Sequence, residues 1–429
     1  DGLQSQVLDS CLAFSIFPSL FIHVLFKVIG MAFPPAHVIL AFKIMNTGLI
    51  TVSAWMVKKI FEQYQLNSIS QVIGFVVIFL NYGVLNFTFY YQVMTDTPAF
   101  FLSIALFYFF VRGELMNILL IGLIGTFTWP VLAPMAIALV LFPVRENEFI
   151  PLTKTITFSF GIFCFFYALV MGWFLIFKQG EKADLPYTLP ISYSMLPVTF
   201  LCVGVLFFFM PSVLGNKIYF SLAYYRNQFN GNRIFSVIAL IIILLVLRAS
   251  ISVHASSEYL FMYHQIEVHL LYAFQRPFIS VVSHFNYFGC IMLLMLIFWK
   301  KFAAFISTFG LGVVGSVFFN LFIFSLKPES RALIFFFPWF MILMSLFLGR
   351  YKFTSSFYIL IAIINFIAAK LWLFFDYSST PVLPDGTTGF PAQWFMMHLG
   401  MWMTEGVWLW LCISVIVSLL LFIFSLYKI

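Results

Sequence analysis

The chain has 429 residues, 63% of them hydrophobic and only 9% charged. A soluble domain carries about 25% charged residues, so no soluble fold could hide this much apolar surface; continuous apolar runs of about 20 residues also lack the alternation of a membrane β-barrel. The net charge of +7 would suggest nucleic acid in a soluble protein, but here the cations sit mostly at loop ends, where they set orientation.

The reading is an all-α, polytopic integral membrane protein, organised as one domain. Residues 1–37 form an external loop with interfacial helices, and 38–429 form the transmembrane bundle. Within the first part, 11–33 are apolar but hold Pro18, His23 and Lys27, which suits helices lying in the outer interface. Spanning runs then fall at 38–57, 69–86, 97–111, 115–143, 155–177, 195–213, 234–252, 285–299, 303–325, 332–348, 354–376 and 406–426, at about 20 residues per crossing. The run 115–143 is too long for one simple span. Pro130 and Pro134 interrupt it, giving two short helices that meet at a break and about thirteen segments in all.

Lys58, Lys59, Arg112, Arg145, Lys154, Lys217, Arg226, Arg233, Lys300, Lys301, Arg350, Lys352 and Lys428 fall on one side of this arrangement. The positive-inside rule makes that side cytoplasmic. The opposite loops are longer and hold most of the acids, histidines and tryptophans, so chemistry is expected on the non-cytoplasmic face. The 60 phenylalanines read as lipid-facing and core filler. The five cysteines show no short spacing, so neither a metal framework nor a disulfide framework is implied.

Three constellations fall on the outer side. The first is Asp1-Gly2-Leu3-Gln4. The second is Thr95-Asp96-Thr97-Pro98, just ahead of a span. The third is Lys327-Pro328-Glu329-Ser330-Arg331, entering the span that contains Pro338. A carboxylate takes a proton from an acceptor hydroxyl, and the planar fork of arginine suits a phosphate. Each signal also has a plainer explanation. Asp1 can be a solvated terminus, Thr95 or Asp96 an N-cap with Pro98 in the first turn, and Arg331 a side chain snorkelling to headgroups.

In the long external loop, His264 and Glu267 are further candidates for substrate contact. The five-residue step from His264 to His269 does not share a helical face, so no metal site is assigned. Trp394, Trp402, Trp408 and Trp410 read as an aromatic interface belt. No Gly-rich phosphate loop, nucleophile elbow or zinc-hydrolase motif occurs.

The order of these features resembles the GT-C superfamily of polyprenyl-phosphate-dependent membrane glycosyltransferases. Asp1 is similar in position to the first-loop aspartate of that family. Asp96 in Met94-Thr95-Asp96-Thr97-Pro98-Ala99, closing on Arg112-Gly113, resembles its acidic residue before a span with a short basic loop. Gly122 to Pro130 resembles its Gly-rich helix and break, with Trp129 where a cation is common. Glu329-Ser330-Arg331 resembles its Glu-Arg-Tyr helix start.

The resemblance implies transfer of a sugar, with inversion, from a polyprenyl-phosphate carrier to an acceptor glycan, lipid or protein. Asp1 and Asp96 would be catalytic, with a divalent cation (Mg or Mn) as a candidate helper. Glu329 and Arg331 would hold the donor. A transmembrane helix would be expected before Asp1. The bacterial inner membrane is the expected location, with the endoplasmic reticulum as the alternative. The other readings are a transporter or flippase for a lipid-linked or small anionic substrate, and an inactive structural subunit of a membrane complex.

Overall fold

The computed structural model describes residues 15–89, 92–143, 150, 151, 161, 169, 212–251, 278–326, 329–351, 353–369 and 405–427. These are helical, with one isolated bridge between Pro151 and Asn216 as the sole β feature. The expected spans at 155–177 and 195–213 lie outside the described residues.

The helices are α1 (Phe17–Ile29), α2 (Pro35–Gln63), α3 (Ser68–Phe79), α4 (Tyr82–Phe89), α5 (Asp96–Arg112), α6 (Leu115–Thr126) and α7 (Leu132–Leu141). After them come α8 (Leu222–Gln228), α9 (Gly231–Ile251), α10 (Ile279–Phe288), α11 (Ile291–Ile297), α12 (Trp299–Ile306) and α13 (Leu311–Leu326). The last are α14 (Phe337–Gly349), α15 (Ser355–Ala369) and α16 (Glu405–Tyr427). Short 3-10 turns cover Lys217–Phe220, Ser307–Phe309 and Ser330–Leu333.

Among the described residues, two helices are long and apolar enough to cross a membrane: Pro35–Gln63 and the Trp408–Tyr427 part of α16. Two bent pairs raise that to as many as four if each is one span. The run 69–86, expected as a single span, is one of them. It bends by 57° between α3 and α4. Asn81 sits at this bend and donates to the carbonyls of Val77 and Ile78, while its Oδ1 accepts from the Val84 N–H. The run 285–299 is likewise divided. Gly289, at φ +83, separates α10 from α11, and α11 meets the segment Trp299–Phe309 at 98°.

The break expected in 115–143 is present as a helical hairpin. A Cβ on Gly122 would lie 2.7 Å from the Ala136 Cβ, and one on Gly125 would lie 2.7 Å from the Leu132 Cβ. These pairings run antiparallel, so α7 folds back along α6. The absent glycine side chains allow the close approach. At about 1.5 Å per residue, α6 and α7 are each well short of the roughly 30 Å hydrocarbon core.

α5 is the axis of the core. Residues 99, 100 and 102–107 are buried, and the Trp339 indole of α14 donates to the Ser103 carbonyl at 2.9 Å. At its far end, Arg112 pairs with Glu114. That contact and a bond from Asn117 hold the Glu114 carboxyl below its ordinary range.

The same end collects other cations. Gln63, one turn beyond Lys58 and Lys59, reaches the Val111 carbonyl at 3.4 Å. Tyr64 packs on Phe309 at 5.8 Å, and Phe305 packs on Phe347 at 5.8 Å, which brings Lys300, Lys301 and Arg350 to this end. Asp96 begins α5 and Arg112 ends it, so they stand about 25 Å apart. Single cysteines at positions 58, 112, 300 and 350 are therefore expected to react with a membrane-impermeant reagent from one side, and cysteine at 331 from the other. Labelling of 112 and 331 from the same side would reject this arrangement.

Candidate functional site

Asp96 is the first residue of α5, with Thr95 at the N-cap position making no side-chain capping bond. Pro98 falls in the first turn, where its missing N–H removes no helical bond. The Asp96 carboxylate is directed instead to a residue 235 positions away. Arg331 donates from Nε to Oδ1 at 2.9 Å and to Oδ2 at 3.2 Å, and from Nη2 to Oδ2 at 3.0 Å. Both carboxylate oxygens are engaged by the fork, the strongest geometry for this pair.

The Asp96 side chain has no exposed surface, whereas 24% of the Arg331 side chain is exposed. Nη2 also contacts the Met94 sulfur at 3.3 Å, and the guanidinium lies 5.2 Å over the Phe87 ring. Nη1 donates to none of the described residues.

Arg331 sits in the 3-10 turn Ser330–Leu333, preceded by extended Glu329. His284 of α10 is fully buried and meets the Ser330 hydroxyl through Nδ1 at 2.9 Å, tying this turn to the core. One helical turn on, the buried Tyr287 hydroxyl has no hydrogen-bond partner among the described residues. Its ring packs against Tyr82 at 5.5 Å and Phe87 at 6.2 Å, and it lies within electrostatic reach of Asp96, Arg331 and Glu329.

The turn leading into Asp96 is held from α2. The Asn46 amide, buried at 0% exposure, donates to the Gln92 carbonyl at 2.9 Å. Thr88 and Thr97 share a hydrogen bond at 3.4 Å. The α6–α7 turn joins the same end of the bundle, since Trp129 packs on Phe335 at 6.2 Å. The Phe17 N–H donates to the Phe127 carbonyl at 2.9 Å, which docks α1 there as well.

Residues of α1, α2, α5 and α6 line a cavity of about 760 Å³. Its wall is almost wholly apolar and includes Phe21, Leu25, Ile44 and Gly48. Pro98, two residues after Asp96, and Thr128 are also part of its wall.

The structure therefore unites Asp96, Arg331 and Glu329 among the expected site residues. Asp1, His264 and Glu267 lie outside the described residues. Asn46, His284, Ser330 and Tyr287 were not singled out from sequence as site residues. Buried histidine, tyrosine and asparagine within apolar helices were the available signal. Among the described residues, no three of His, Cys, Asp and Glu come together as a metal site. Asp96 gives both oxygens to Arg331, so a base or metal-ligand role for it requires the pair to open. No family model, curated protein or solved structure matches the chain.

Removing one partner of a buried pair strands the other charge and destabilises by about 3–5 kcal/mol, whereas replacing both with apolar groups is often neutral. Asp96→Leu, which leaves the partly exposed Arg331 unpaired, is expected near 3 kcal/mol. The double change Asp96→Leu with Arg331→Leu should restore most of that loss in denaturant unfolding of the purified protein. Additive losses in this cycle would show that the two side chains are not coupled.

Proposed function

We propose that the chain is an integral membrane glycosyltransferase that moves a sugar from a polyprenyl-phosphate carrier to an acceptor glycan, lipid or protein on the non-cytoplasmic face, as its resemblance to the GT-C superfamily implies. The observation that carries this reading is the Asp96–Arg331 pair together with an apolar cavity whose wall includes Pro98. The donor has a long isoprenoid chain joined to a phosphate. The cavity suits the chain, and Nη1 of Arg331, which donates to none of the described residues, suits the phosphate.

In this assignment Asp96 holds the guanidinium in one plane so that Nη1 faces the donor. The acceptor oxygen attacks the anomeric carbon. The bond from that carbon to the phosphate oxygen breaks, its electron pair goes to the phosphate, and the configuration inverts. Arg331 stabilises the charge that grows on the leaving phosphate. The acceptor proton passes to a carboxylate, for which the resemblance offers Asp1. About thirteen membrane segments and interfacial helices in 1–37 complete the arrangement, with the bacterial inner membrane as the proposed site.

Two variants test the reading with purified protein and a labelled polyprenyl-phosphate sugar. Arg331→Lys keeps a charge for Asp96 but lacks the planar fork, so turnover is expected to fall by about a hundredfold. Full activity would show that Arg331 only joins helices. Gly48→Leu places a side chain in the cavity, because nothing lies within 4 Å of a Cβ at that position. It is expected to raise KM for a long-chain donor about tenfold, the equivalent of two lost buried methylenes. A donor with a short prenyl chain should be little affected. Equal effects on both donors would remove the cavity from the donor site.

A further inference from the structure

The opposite end of the bundle carries a second surface that the transfer reaction does not use. Among the described residues it gathers Lys58, Lys59, Arg112, Lys300, Lys301 and Arg350, together with the carboxylates Glu62 and Glu114. Those acids are already engaged, Glu62 with Lys59 at 2.7 Å and Lys58 at 3.7 Å, and Glu114 with Arg112. Lys300, Lys301 and Arg350 have no carboxylate partner among the described residues. The sequence contains no Asp or Glu between Glu267 and Glu329, or between Glu329 and Asp376.

These three cations are exposed, and two of them, Lys301 and Arg350, lie over aromatic rings. Lys301 Nζ lies 5.7 Å over the Tyr351 ring, and the Arg350 guanidinium lies 4.6 Å over the Phe305 ring. The two contacts link α12 to the end of α14 in both directions and so bring Lys301 and Arg350 together, with Lys300 next to Lys301 on α12. α12 turns Trp299, Phe302, Ala303, Phe305 and Ile306 inward and leaves Lys300 and Lys301 outside.

The setting selects the ligand. α2 has 29 residues, about 43 Å of helix against a hydrocarbon core of about 30 Å. Its last turns, with Lys58 and Lys59, therefore reach headgroup level. The 98° bend before α12 lays that helix across the bundle direction at the same end, as an interfacial helix lies.

We propose that Lys300, Lys301 and Arg350 form a binding site for the phosphate headgroup of an anionic phospholipid. The three cations supply the charge, and the rings beneath Lys301 and Arg350 limit the motion of those two. The site is about one α5 length from Asp96, and it stands or falls independently of the transferase reading.

The full chain is reconstituted in nanodiscs containing phosphatidylcholine and phosphatidylglycerol, and retained lipid is counted by native mass spectrometry. The parent is expected to retain phosphatidylglycerol selectively. K300Q/K301Q/R350Q should lower that selectivity about a hundredfold, and either single lysine change about fivefold. The charge-preserving K300R/K301R/R350K should keep it. Inorganic phosphate at the same concentration should not displace the lipid. If the triple variant fails to fold in phosphatidylcholine alone, the single variants decide. Equal selectivity in the parent and the glutamine variants, or displacement by inorganic phosphate, would overturn the proposal.

Discussion

The pair between Asp96 and Arg331 constrains everything around it. A carboxylate with no exposed surface loses its hydration, and only a well-aligned cation offsets that loss. Alignment here demands that the start of α5 and the Ser330–Leu333 turn be held in fixed relation. The supports are visible: Asn46 fixes the approach to Asp96, and His284 fixes the turn bearing Arg331 through Ser330. The Phe87 ring beneath the guanidinium limits the rotation of the fork. A side chain that merely anchored a helix end would need none of these. Arg112, at the other end of α5, shows the alternative: it is exposed and has a carboxylate two residues away.

Helix interruptions carry the same logic into the apolar region. Without water, every freed backbone group needs an internal partner. At the α3–α4 bend the partners come from asparagine. Asn81 caps the break from within, and Asn365 of α15 donates to the Leu80 carbonyl at 2.8 Å and to Val76 at 3.4 Å. Asn365 also lies where a Cβ on Gly289 would stand, at 1.9 Å from its Oδ1. Glycine at 289 thus serves both the positive φ and the packing of this amide. The bend at 80–81 and the break at 289 are one structural unit, since the same asparagine serves both.

Parts of this were legible in the sequence, and the reasons differ by element. The composition points to an all-helical membrane class, and the described residues are helical with two to four candidate spans. The break near Pro130 is readable because proline removes a backbone donor. The bend at Leu80–Asn81 has no proline, and its asparagine is only one polar residue in an apolar run, so the run 69–86 read as unbroken. Asp96 and Arg331 each drew attention as charges beside spans. Their contact was not deducible, because 235 residues separate them and nothing local encodes pairing at that range. His284 stands in the sequence just ahead of the apolar run 285–299, with nothing local to mark it. Its burial against Ser330 depends on packing that no local pattern records. Segment counts were the least secure inference, since hydropathy does not distinguish a full crossing from a hairpin of two short helices such as α6–α7.

The basic end and the Asp96–Arg331 pair hold positive charge in different ways. At the basic end, cations stay exposed over aromatic rings or beside surface acids. There the median ion pair contributes about 0–1 kcal/mol, so those groups are free to meet an outside charge. At the other end, one cation is drawn into the protein and fixed by a buried acid that serves nothing else. If stability alone were at stake, two apolar residues would perform as well as this pair. What apolar residues lack is a preset guanidinium that is still partly exposed. That presetting follows from the burial of Asp96, because an exposed carboxylate would leave Arg331 free to follow solvent. The positioning of Arg331 therefore depends on a carboxylate that itself has no exposed surface.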